Sequence, residues 1–344
     1  MKLGVNLTYQ GGAELAVAAE QLGYDVALAP EGYRSDAASL LGLVAGRTRT
    51  IGLCSGVMQI PARTPALAGL TAATLHALSG GRFRLGLGVS NPDVSEGWYG
   101  VPFTRPLART REYVEVVRLA LTGEPVRYEG EHYRLVPPGQ GGSPLHVLTE
   151  RPQNPVPVYL GAVGPKNLAL AGEIADGWIG VFAAPEQVAQ AAGHIAAGRE
   201  RVGRTLEGFD VMPCLATAIG PDTDACVDLL RAHYAYLLAI GDTDRNIYCA
   251  LAARLGHGAG AAEVSRLARA GDRTAAARAV PAGFIDATSL VGPVERVAGR
   301  MRAYADAGVT TLSIMISAVA VGLEERIGTL EQAMKALDLS GVRD

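Results

Sequence analysis

Pro30-Glu31-Gly32-Tyr33 places a carboxylate and an aromatic ring directly behind an apolar run. A carboxylate so placed hydrogen-bonds a substrate or, once burial raises its pKa, acts as a general acid or base. Arg34 follows at once, so an ion pair inside the loop is the competing reading of Glu31. In Cys54-Ser55-Gly56-Val57-Met58-Gln59-Ile60-Pro61, small residues let backbone approach a flat ligand closely, although any buried turn tolerates the same residues. Gly86-Leu87-Gly88-Val89-Ser90-Asn91-Pro92 begins like a dinucleotide fingerprint, but Asn91 stands at the third glycine position and Pro92 follows, so that reading fails. Gly161-Ala162-Val163-Gly164-Pro165-Lys166-Asn167 leads into a helix. Free N–H groups at a helix start, glycines and one lysine make a cradle for an anion or phosphate. The bland alternative is an ordinary strand-to-helix turn with proline at the first helical position.

Other chemistries are disfavoured. Cys54, Cys214, Cys226 and Cys249 are far apart and the histidines form no H-E-x-x-H, which predicts neither a zinc site nor a disulfide framework. A formal charge of −3 over 344 residues, without a Lys/Arg cluster, argues against a nucleic-acid partner. No apolar run reaches ~18 residues, so no membrane span is expected. Met1 to Leu7 has the pattern of a short strand and not of a secretory signal, which predicts a cytoplasmic protein.

The elements that must position these residues follow a repeating pattern. Apolar runs at Leu3–Leu7, Val26–Ala29, Ile51–Cys54, Phe83–Leu87, Val156–Leu160, Gly177–Val181, Val211–Ala218 and Thr311–Ile316 alternate with stretches of helical periodicity. Parallel strands need crossovers, and eight such units in this length predict an α/β fold of the (β/α)8 TIM barrel type, one domain over residues 1–344. Arg127–Leu135, centred on Glu129-Gly130, has the pattern of a small hairpin. Residues of about 241–292 predict a helical insertion between strands seven and eight, either a lid or purely structural. In a barrel, the residues just after each strand converge on the catalytic face.

Taken together, Pro30–Ala37, Met58–Pro65, Leu78–Phe83 through Ser90, Glu96–Pro102, Pro106–Tyr113, Tyr159–Lys166, Ala175–Trp178, Val280-Pro281 and Leu290–Pro293 resemble the luciferase-like monooxygenase superfamily. Within it they are similar to the branch that uses the deazaflavin coenzyme F420, the methylenetetrahydromethanopterin reductase-like enzymes. The resemblance implies hydride transfer between the coenzyme and a small organic or natural-product substrate, or a modified peptide intermediate, by a reductase that forms a homo-oligomer, a dimer. It implies Glu31 as the catalytic acid and a cofactor site made of Gly56, Val57, Gly88, Val89, Ser90, Asn91, Gly161, Ala162, Val163, Gly164, Pro165, Lys166, Gly180 and Val181. It also implies a cis peptide between Gly56 and Val57. An FMN-dependent monooxygenase and a catalytically silent cofactor-binding protein are the alternatives. Pro30, Gly32, Asn91 and Tyr99 depart from the usual pattern of the branch and bear on the substrate more than on the cofactor.

Overall fold

A computed structural model describes residues 1–32, 35–136, 142–149, 154–319 and 321–343. Tyr33 and Arg34 lie outside the described residues. In chain order the strands are β1 (Lys2–Asn6), β2 (Val26–Ala29), β3 (Gly52–Ser55), β4 (Met58–Gln59), β5 (Phe83–Gly88), β6 (Tyr128–Glu129), β7 (Arg134–Leu135), β8 (Val158–Gly161), β9 (Gly177–Val181), β10 (Asp210–Ile219), β11 (Ser289–Gly292) and β12 (Thr311–Met315). Eight of them recur in the βα rhythm read from the sequence, and the fold is of the (β/α)8 barrel class.

The chain divides into two compact units. One comprises Leu7–Ile179 and Ala191–Val211. Its helices are α1 (Gly12–Gln21), α2 (Ala37–Arg47), α3 (Pro65–Leu78), α4 (Pro92–Gly97), α5 (Pro106–Leu121), α6 (Pro165–Ile174) and the later part of α7 (Pro185–Glu200). Here β2, β3, β5, β8 and β9 pair in parallel in that order, with registers such as Leu28 against Cys54 and Leu87 against Leu160. These strands are buried almost throughout, as expected where helices cover a parallel sheet. β4 pairs with the end of β5, Met58 opposite Leu87 and Gln59 opposite Gly88. The Arg127–Leu135 pattern is an antiparallel hairpin of β6 and β7 whose tip N–H groups, on Glu131, His132 and Tyr133, donate to the Glu112 carboxylate of α5.

A clasp holds the entry to β3. The Glu20 carboxylate accepts from the backbone N–H groups of Arg49, Thr50 and Ile51. From the other side the Arg82 guanidinium donates to the carbonyls of Ala45, Thr48, Ile51 and Ser79.

The second unit comprises Met1–Asn6, Gly180–Gln190 and Met212–Asp344. β12 pairs in parallel with both β1 and β10. Its helices include α8 (Thr223–Leu238), α9 (Ile247–Arg254), α10 (Gly258–Arg269), α11 (Arg273–Ala279), α12 (Ala282–Thr288), α13 (Val294–Asp306) and α14 (Leu323–Ser340). An interior that includes Phe182, Leu230, Tyr234, Val264, Phe284 and Ile285 holds α8 to α12 together. The stretch expected to be helical differs at its end. Ser289–Gly292 is β11, paired with Ala216–Ile219 of β10, and this is possible because β10 runs past the residues that face β12.

Candidate active site

Glu31 follows β2, and its side chain is only 5% exposed. It meets Arg63, with Nη1 donating to Oε1 at 2.9 Å and Nη2 to Oε2 at 2.8 Å. This fork is the planar, two-bond match that guanidinium and carboxylate make best. The backbone N–H of Gln59 adds a third bond to Oε1 at 2.9 Å, and that of Ala37 reaches Oε2 at 3.5 Å. Every one of these contacts donates to Glu31. The carboxylate is therefore used as an acceptor, and its ion-pair partner among the described residues is Arg63; the Arg34 pairing lies outside them.

The network spreads into the loop after β5 and onto helix α5. Gln59 returns a bond from Nε2 to the Glu31 carbonyl at 3.2 Å, and the Ser90 hydroxyl, after β5, donates to Gln59 Oε1 at 3.2 Å. Ser90 has φ 64°, in the left-handed region that non-glycine residues rarely adopt. Arg63 Nη2 also reaches Asp36 Oδ1 at 3.2 Å, and the Tyr113 phenol of α5 donates to the Arg63 carbonyl. Burial opposes the charge on Arg63, but the hydrogen bond and attraction of Glu31 outweigh it and hold its pKa above the ordinary value. Asp36 is pushed up by burial and more strongly down by the Ser39 hydroxyl and backbone, so it stays below the usual carboxylate range. Burial, then the Glu31 carboxylate, raises the Tyr99 phenol.

The second feature is the turn after β3. The Gly56–Val57 peptide is cis, as the resemblance implied. Val57 packs onto the glycines of two neighbouring strands. A Cβ on Gly88 would lie 2.5 Å from Val57 Cγ2, so glycine is required there, whereas a Cβ on Gly161 would make ordinary contacts of 3.5 and 3.6 Å.

The third is the start of α6. Gly164 is its N-cap, no side chain caps it, and Pro165 has no N–H, so the backbone donors of Lys166 and Asn167 head the helix without a side-chain acceptor. The helix dipole favours an anion at this end. Gly164 itself has φ −81° and ψ 154° with open space around its missing Cβ.

The remaining expected residues are dispersed. Asn91 caps α4, its side chain accepting from Val94 at 3.0 Å. The Ala162 carbonyl accepts from Trp178 Nε1 at 2.8 Å. Val89 lies partly exposed beside Ser90, and Val163 is partly exposed before Gly164. Lys166 is exposed and opens onto an outer groove. Gly180 and Val181 end β9 in the other unit. Gln59 and Arg63 were not singled out as site residues. The available signal was weak, since Arg63 stands within Met58–Pro65 but nothing in a spacing of two strand-helix units couples it to Glu31.

With Glu31, Gln59 and Ser90 joined across strand-following loops of a (β/α)8 fold, and with relatives named as oxidoreductases, the protein is an enzyme of the oxidoreductase class. The chain belongs to the luciferase-like monooxygenase family, which it matches over residues 3–311. It is 38% identical over 328 residues to a Mycobacterium tuberculosis protein named as a coenzyme F420-dependent oxidoreductase, covering 91% of this chain and 94% of that one. A 5,10-methylenetetrahydromethanopterin reductase of Archaeoglobus fulgidus is 30% identical over 300 residues, with 85% of each chain covered. The solved coenzyme F420-dependent tetrahydromethanopterin reductase of Methanopyrus kandleri superposes with a TM-score of 0.84, at 24% identity and 97% coverage of both chains. No described helix is long and apolar enough to cross a membrane.

Proposed function

We propose that this protein is a coenzyme F420-dependent reductase of a small organic substrate. The uncapped start of α6, three residues after the Gly161 that lies against Val57, carries this reading, because it offers an anion seat near the turn that follows β3. The near full-length similarity to a protein named for this coenzyme supports it. When bound, the deazaflavin supplies or accepts a hydride and does not activate dioxygen as flavins do.

The chain's own residues have separable tasks. Gly56, Val57 and Gly88 form the surface that would bear the ring, and Gly161 to Asn167 would hold the phosphate by backbone N–H groups and dipole. Val89, Ser90 and Asn91 would border the ring. Glu31 serves turnover as a positioning residue. Through its fork with Arg63 and its bond to the Gln59 N–H it fixes the loop after β2 and the segment from β4 to Arg63 in one geometry, and such placement supports rate without proton transfer. The protein works in the cytoplasm as a homodimer.

The deciding experiment titrates the reduced coenzyme and FMN separately, by fluorescence and calorimetry. Clearly tighter binding of the deazaflavin is expected. Tighter FMN binding overturns the proposal and makes the protein a flavin monooxygenase.

A further inference from the structure

A small cavity lies at the head of α5, between that helix and the segments that follow β4 and β5. It measures about 20 Å3, room for one occupant the size of a water molecule. Ile60, Pro61, Val89, Pro102 and Phe103 give it an apolar wall. Among the described residues that line it none is acidic, and Arg109 is the only charged one. The Arg109 Nε is buried and has no hydrogen-bond partner. Acids on the neighbouring segments are engaged elsewhere. Glu112, three positions further along α5, accepts the N–H groups of the hairpin tip, Glu131 pairs with Arg105, and Glu96 accepts the Phe103 N–H. The Ser95 and Thr110 hydroxyls of the lining donate to the carbonyls of Val101 and Pro106. Arg105, the N-cap of α5, supplies no side-chain cap, and the first turn holds no acid, so the positive end of the helix dipole adds to the Arg109 charge. A guanidinium does not shed its proton, so this charge persists at any working pH.

We infer that the cavity binds one halide ion, chloride in ordinary solution, held by the Arg109 guanidinium against the apolar wall. A water molecule would satisfy the Nε–H but leave the charge, and a charge withdrawn from water without a counter-ion is costly. A carboxylate or phosphate brings several oxygens where the volume admits one atom. A monatomic anion meets both conditions. Ile60 and Val89 are the immediate chain neighbours of Gln59 and Ser90, which are bonded to each other, so the bound ion ties the head of α5 to the two segments that carry that bond.

The test measures the melting temperature of the full-length protein in sodium chloride and sodium bromide against sodium gluconate and sodium acetate at equal ionic strength. It needs neither coenzyme nor substrate, so its outcome is separate from the functional reading above. Wild type is expected to show a rise with either halide that saturates, about 3 °C at ten times the dissociation constant. Arg109→Gln keeps an N–H donor without the charge and should lose that rise. Crystals of wild type soaked in bromide should give an anomalous peak beside the Arg109 guanidinium, a reading that stands even if the variant folds poorly. No saturating rise in wild type, a rise retained in folded Arg109→Gln, or a cavity without bromide overturns the halide site and leaves a water pocket. A saturating rise with acetate larger than that with chloride overturns it in favour of a carboxylate.

Discussion

Glu31 and Arg63 face each other in a two-bond fork of 2.9 and 2.8 Å, one following β2 and the other following the turn after β4, with side-chain exposures of 5% and 12%. Charge removed from water in this way is stabilising only while both partners are present. Loss of one leaves the other uncompensated, at a cost of about 3–5 kcal/mol. Asp36 moderates that cost on the arginine side, since it also touches Arg63.

The fork separates a positioning role for Glu31 from proton donation. Lysine keeps the charge of Arg63 but not the planar pair of donors, so Arg63→Lys should lower turnover nearly as much as Glu31→Gln, within about threefold of it, if the loops must be held together. Proton donation would instead make Glu31→Gln alone lose roughly 10²- to 10⁴-fold. Single-turnover hydride transfer on folded, cofactor-loaded variants reads the difference.

Gly164→Asp should weaken coenzyme binding at least tenfold, about 1.4 kcal/mol, by setting a carboxylate at the head of α6. Because the backbone there is ordinary and the space open, Gly164→Ala should bind as wild type does. Calorimetric titration of the pair isolates charge from shape. An alanine variant as weak as the aspartate one would move the phosphate seat elsewhere.

Gly88→Ala forces a methyl to within 2.5 Å of Val57 Cγ2 and should destabilise the fold by about 1–3 kcal/mol. Val57→Ala removes the obstacle, so the double variant should be more stable than the sum of the two single changes implies. Denaturant unfolding of the four proteins gives the coupling, and simple additivity would mean that Val57 does not press on Gly88.

Acid should loosen the entry to β3. Burial raises the Glu20 carboxyl, but bonds from the N–H groups of Thr50, Ile51 and Arg49 outweigh it and bring the pKa down to about 2. An unfolded glutamate titrates near 4.3. The folded state therefore binds protons less readily, so the stability Glu20 provides is complete above about pH 5 and is lost as pH falls from there toward about 2. Glu20→Gln should flatten that part of the stability profile. Urea midpoints between pH 6 and 2.5 would show it, and identical slopes for both proteins would exclude the clasp as the source.

Strand and helix periods made most of the architecture legible. Val26–Ala29 and Gly177–Val181 match the structure residue for residue, because fully buried parallel strands leave uninterrupted apolar runs. β4 is two residues long and β11 directly follows a helix, so neither has room to show alternation. Glu31 was visible as a carboxylate behind a strand. Its partner Arg63, 32 positions further on, was not. Pairings between loops are set by how strands stack, and no local pattern encodes them.

The clasp of Glu20 and Arg82 on residues 45–51 has a consequence for how this enzyme tolerates change. It joins the segment ahead of β3 to Glu20 and Arg82 mainly through backbone atoms, with one added bond each at the Thr50 and Thr48 hydroxyls, so Arg49 and Ile51 can vary without loosening it. The loops at the opposite ends of the same strands, where Glu31, Gln59 and Ser90 meet, depend on side chains that must be kept or replaced together. Library design aimed at a new substrate is thus best confined to positions that border this trio without belonging to it, such as Tyr99, with the anchored end serving as a reserve of stability against the losses such libraries incur.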